Sequence, residues 1–108
     1  MWAALEQHVR RFEELERQMA DPATAADPAR FTQIVREHGR LAKLVKPYRA
    51  LIQLDEEIAQ AQAMLRSEKD PEMRQYAEDE LAALQGRRDR LRQQLEDLLL
   101  ESLSLIHI

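Results

Sequence analysis

The densest chemistry in this 108-residue chain lies between positions 87 and 92, where Arg87, Arg88, Arg90 and Arg92 fall within six residues. Guanidinium groups at that density can contact the phosphates of an RNA. The plainer alternative is a solvated helix face paired with neighbouring acids. His8 and His38 could ligate a metal, but neither has a His or Cys at ligand spacing, so both read as surface or helix-seam histidines. Glu13, Glu14, Asp55, Glu56 and Glu57 could be paired catalytic carboxylates. No nucleophile or glycine loop accompanies them, so they read as solvated helix faces and the chain as no enzyme. Trp2 could anchor a partner; the commoner role at that position is to staple the first helix.

Composition bounds what could position these groups. A third of the residues are charged and 44% are hydrophobic, with two glycines and four prolines. That balance favours long helices. Five aromatic residues are too few for a thick globular core, so a thin core between helices is expected. Without cysteine, disulfides and thiolate metal sites are excluded. No apolar run approaches the roughly 20 residues that span a bilayer. The start Met1-Trp2-Ala3-Ala4-Leu5-Glu6 reaches acid too soon for a signal peptide, which makes the cytoplasm the default compartment. A net charge of −4 disfavours tight autonomous RNA binding but allows a small basic patch. No cofactor, metal, membrane or small-molecule ligand is expected.

Hydrophobic spacing then divides the chain into elements. Leu5, Val9, Phe12, Leu15 and Met19 recur every three or four residues and predict a helix over 2–20. Asp21-Pro22 ends it, and residues 23–26 read as a short loop. Asp27-Pro28 is an N-cap followed by proline at the first helical position. Apolar residues from Phe31 through Ile34, Leu44, Tyr48, Leu51 and Ile58 to Leu65 keep one phase across Pro47. No turn residues surround that proline, so one helix over 28–67 with a kink is preferred to two helices joined there. Asp70-Pro71-Glu72 repeats the cap-and-proline signal. Met73, Tyr76, Ala77, Leu81, Leu84, Leu91, Leu95 and Leu98 mark a third helix over about 71–100, in which Gly86 could signal close packing. The expected architecture is all-α: three long helices, the last two forming an antiparallel coiled-coil-like hairpin with the first packed along it.

The final residues follow a different logic. Leu103-Ser104-Leu105-Ile106-His107-Ile108 carries no helical charge pattern and resembles the translation of a common sequencing adapter. Residues 102–108 are therefore read as a non-native tail on a domain covering 1–101, with an ordinary disordered apolar tail as the alternative.

The order of signals resembles the N-terminal domain of bacterial class-I peptide chain release factors, the type that reads UAA and UAG. The residues that carry it are Asp21-Pro22, Asp27-Pro28-Ala29-Arg30-Phe31, Tyr48, Asp70-Pro71-Glu72-Met73-Arg74, Ala77, Glu80-Leu81 and Leu98-Leu99-Leu100. The likeness covers roughly residues 3–100, and the stretch from Asp70 to Leu81 is its most specific part. It implies a domain that projects toward the ribosomal stalk base. There it would touch ribosomal protein, ribosomal RNA and the class-II release factor GTPase, with Arg87, Arg88, Arg90 and Arg92 as candidate ribosomal RNA contacts. The family's Pro-any-Thr and Gly-Gly-Gln motifs are absent; Gly39 and Gly86, the only glycines, cannot form the latter. The chain is thus expected to be a truncated fragment that does not terminate translation. A generic coiled-coil interaction module is the competing reading, but such a module has no reason to contain Asp-Pro-Glu-Met-Arg.

Overall fold

The structure, a computed structural model, describes the backbone of residues 2–106 and the side chains of residues 2–102. It contains α1 (Trp2–Ala20), α2 (Pro22–Ala25), α3 (Pro28–Ser67) and α4 (Pro71–Ile106), and no strand among the described residues. The three long helices are those expected. The segment expected as a loop is instead the one-turn helix α2. Asp21 does more than end α1: its carboxylate accepts a hydrogen bond from the Ala23 N–H at 3.0 Å, and Pro22 supplies a preset first residue. The same device starts α3, where Asp27 accepts from the Arg30 N–H at 3.3 Å.

Helix α3 passes through Pro47 without a break. Proline removes one helical N–H, which leaves the Lys43 carbonyl without its donor, but the apolar phase on both sides favours continuing. Helix α4 extends to Ile106, beyond the expected end near residue 100. Ser102 is exposed; the packing of the expected tail over 103–108 lies outside the described residues.

The chain divides into two units, Met1–Tyr48 and Arg49–Ile108. In the first, α1 runs antiparallel to the opening part of α3. Its buried residues are Leu5, Phe12 and Leu15 from α1, Thr24 from α2, and Ile34, Leu44, Val45 and Tyr48 from α3. Three directional contacts fix the register. Trp2 stacks on Tyr48 with ring centroids 5.9 Å apart. Phe12 stacks on His38 at 4.1 Å. Arg11 grips Glu37 through two hydrogen bonds, of 2.7 and 2.8 Å. Trp2 therefore packs against α3, distant in sequence.

In the second unit, the rest of α3 and helix α4 form the expected antiparallel hairpin. Leu54, Ile58 and Leu84 build its centre, flanked by Ala61, Leu81 and Leu91. Along α4, Ala77, Leu81, Leu84, Leu91 and Leu95 recur at heptad spacing and face inward. Met73 and Tyr76, expected on this face, are 45% and 63% exposed. Ala77 holds the buried position beside them.

The hairpin turn explains the Asp-Pro-Glu-Met-Arg sequence locally. Asp70 caps α4 by accepting from the Met73 N–H at 3.3 Å, Pro71 begins the helix, and Glu72 places acid at its positive end. Arg74 reaches back to the carbonyls of Leu65 and Glu68, at 2.5 and 2.9 Å, at the C-terminal end of α3. One side chain thereby satisfies acceptors that a helix end leaves without donors.

Candidate nucleic-acid interface

Helix α4 separates the four clustered arginines by phase. Arg88 occupies the seam position between Leu84 and Leu91, is half-buried, and pairs across the hairpin with Asp55 of α3. The paired carboxylate raises the pKa of the Arg88 guanidinium above its ordinary value, chiefly through this hydrogen bond. Arg92 pairs with Glu96 one turn on, at 3.1 Å. Arg87 and Arg90 point elsewhere, both exposed, along a shallow groove whose floor is Leu54 and Leu91. Gln53, Glu57 and Gln94 complete its rim. The single patch read from sequence is therefore divided: Arg88 is engaged across the hairpin, Arg92 is paired within α4, and Arg87 and Arg90 line the groove.

The other singled-out residues have structural positions. His38 lies in the seam of the first unit, stacked on Phe12, with Nε2 3.6 Å from the Glu16 carboxylate. No group of three or more His, Cys, Asp or Glu among the described residues could hold a metal ion. Glu14 is occupied by Arg17 and Gln18, and its pKa falls below the usual carboxylate range mainly because Arg17 donates to it. Asp55 belongs to the Arg88 pair. These acids are not gathered into a pocket. A Cβ at Gly86 would meet only the Arg90 side chain, at 3.4 Å, so the expected close packing there is absent. No described helix is long and apolar enough to cross a membrane.

Sequence periodicity missed a second cationic row. Arg36, Arg40, Lys43 and Lys46 are exposed on α3, within the first unit. The signal was available in the near absence of acid between positions 36 and 54, where Glu37 stands alone.

The fold alone, a capped helical hairpin with an added helix, is compatible with many interaction modules. The deciding comparison is with protein families: the PCRF domain matches residues 8–104. The chain belongs to that family. The PCRF match spans nearly all of the described helices and ends inside the segment read as a foreign tail. Curated relatives include Peptide chain release factor 1 of Desulforudis audaxviator, 37% identical over 100 residues, covering 93% of this chain and 28% of that protein. Peptide chain release factor 1 of Acidobacterium capsulatum is 39% identical with the same coverage. That of Chlorobaculum tepidum is 37% identical over 90 residues, covering 83% of this chain and 25% of the relative. The PCRF chain described here thus spans about a quarter of the length of these relatives. No solved structure matches it.

Proposed function

We propose that this PCRF domain is the helical N-terminal arm of a translation termination factor of the class that releases peptides at UAA and UAG, and that it serves as a ribosome-contacting module in the cytoplasm. The observation that carries this reading is the PCRF match over residues 8–104 together with relatives named Peptide chain release factor 1. The arm faces the ribosomal stalk base, touching protein and ribosomal RNA there and lying within reach of the class-II release factor GTPase. Arg87 and Arg90 are the members of the α4 cluster placed to meet ribosomal RNA, whereas Arg88 is held across the hairpin by Asp55 and Arg92 is paired with Glu96 on its own helix.

The arm contributes placement and no chemistry of its own. Its contacts add to those of the other domains through effective concentration. The isolated chain should associate only weakly, since it lacks that gain and has a net charge of −4.

A chimera tests this. Residues 8–104 replace the matching stretch of the Chlorobaculum tepidum relative, and stop-codon-dependent peptide release is measured on programmed ribosomes. The chimera is expected to release peptide, and the isolated chain to give none above background. A folded chimera without activity, or stop-dependent release by the isolated chain, overturns the proposal.

A further inference from the structure

We propose that the exposed row Arg36, Arg40, Lys43 and Lys46 on α3 is an RNA-backbone binding strip, and that it carries more of the domain's RNA affinity than the α4 arginines; this rests on the ribosomal reading above.

The four cations fall within roughly 120° of arc on α3 and extend over ~15 Å of its length, from the standard 3.6 residues per turn and 1.5 Å rise. All four are exposed. Their surroundings differ from those of the arginines engaged within the fold. Arg11, Arg17, Arg88 and Arg92 each hold a carboxylate, and Arg74 holds backbone carbonyls. None of the ion pairs among the described residues involves Arg36, Arg40, Lys43 or Lys46. The one acid in the row's stretch, Glu37, is gripped at both oxygens by Arg11, and its pKa lies below the usual carboxylate range chiefly because of that hydrogen bond. Arg40 also lies close enough to act on Glu37 through its charge, but Glu37 makes its hydrogen bonds to Arg11, and Arg36, Lys43 and Lys46 keep their charge open although the chain as a whole is acidic.

Gly39 lies between Arg36 and Arg40 on the same exposed side, and a Cβ there would meet nothing within 4 Å. Packing gives no reason for glycine, which is among the least favourable residues in a helix interior. A bare backbone flanked by cations instead gives a phosphodiester chain room to approach. Arg36 and Arg40 can each take a phosphate bidentately, while Lys43 and Lys46 act as point charges. A membrane surface fits less well, because it requires bulky apolar groups beside the cations. Leu44, Val45 and Tyr48 are turned into the core, leaving Val35 as the exposed apolar neighbour.

The test uses the full 108-residue chain and a fluorescein-labelled RNA hairpin of 20 base pairs, read by anisotropy. Phosphatidylcholine–phosphatidylserine vesicles serve as a second probe. Binding to RNA is expected at 50 mM salt, weakening about 50- to 150-fold at 200 mM, as four phosphate contacts require. The variant R36E/R40E/K43E/K46E should lose more than tenfold in affinity with its helical circular dichroism retained, and R87E/R90E less than threefold. Gly39→Leu provides a control against misfolding: it should raise the melting temperature while weakening RNA binding several-fold. RNA binding by the fourfold variant equal to wild type, no wild-type binding at 50 mM salt, a larger loss in R87E/R90E, or preference for the vesicles would each overturn the proposal. In the chimera above, unchanged release and unchanged concentration dependence after reversal of the strip would remove the strip and leave the arm reading standing. RNA binding through the strip with an inactive chimera would do the opposite.

Discussion

The two units use the same kind of element and hold it together differently. Met1–Tyr48 contains four of the five aromatic residues and orders its helices with contacts that have direction: a Trp2–Tyr48 stack, a Phe12–His38 stack and a two-bond Arg11–Glu37 pair. Arg49–Ile108 has one aromatic, Tyr76, and leaves it 63% exposed. It relies on a repeating aliphatic seam, closed at the turn by Asp70 and Arg74. A repeating seam has several acceptable registers, because a shift of one heptad again sets leucine against leucine. The terminal clamp removes that freedom in the second unit, as ring stacking and forked hydrogen bonds do in the first.

The largest expected losses lie at fully buried leucines, one taken from each unit. Leu15→Ala in the first unit and Leu95→Ala in the second should each cost about 2–5 kcal/mol, measured by urea denaturation. If one substitution costs less than about 1 kcal/mol, the corresponding unit has no tightly packed core. Tyr48→Phe sharpens the contrast next. Tyr48 donates to the Glu6 carboxylate, and that bond together with burial raises the phenol to about 12. Because the folded pKa lies above the ordinary 10.0, this contribution is complete below pH 10 and is lost as pH rises toward 12. Wild-type stability should therefore decline between pH 10 and 12. Tyr48→Phe should cost about 1 kcal/mol at neutral pH and flatten that decline. An equally steep decline in the variant would assign it to other groups.

In the second unit, Asp70→Ala should cost about 1 kcal/mol through the lost cap. It should also broaden the hairpin's range of registers, visible as weakened amide protection on both sides of the turn. Unchanged protection would show that Arg74 and the seam suffice. The smallest effect is a gain. Gly86→Ala should stabilise by about 0.5–1 kcal/mol, since the new methyl meets only the flexible Arg90 side chain. A loss instead would reveal a packing role that the helix geometry does not show.

The long helices were legible because their signals agreed: cap residues at Asp27 and Asp70, proline at the next position, and an unbroken apolar phase across Pro47. Helix α2 was not, since a single turn of Pro-Ala-Thr-Ala has no periodicity to read; it is closed by backbone bonds to the Asp21 and Pro22 carbonyls and by the Asp21 cap. Tyr76 and Ala77 were both read as part of the apolar pattern; Ala77 continues the heptad phase of Leu81 and Leu84 and is buried, whereas Tyr76 lies off that phase and is exposed. The arginine cluster was visible as a cluster, but its division was not. Whether an arginine is available depends on acids distant in sequence, such as Asp55 for Arg88. For the same reason the α3 row went unread: its cations are spaced out along the sequence, and in sequence Glu37 is their neighbour, whereas in the fold its hydrogen bonds go to Arg11.

The Trp2–Tyr48 stack makes the molecule its own optical probe. The chain has a single tryptophan, so all indole emission comes from one place, the start of α1 resting on α3. When α1 lifts away, the ring exchanges an aromatic neighbour for water, and its emission shifts to the red. Circular dichroism at the same moment still records the helix, because amide absorption is insensitive to which face is covered. The two signals thus separate undocking of the first helix from its melting, without any attached dye.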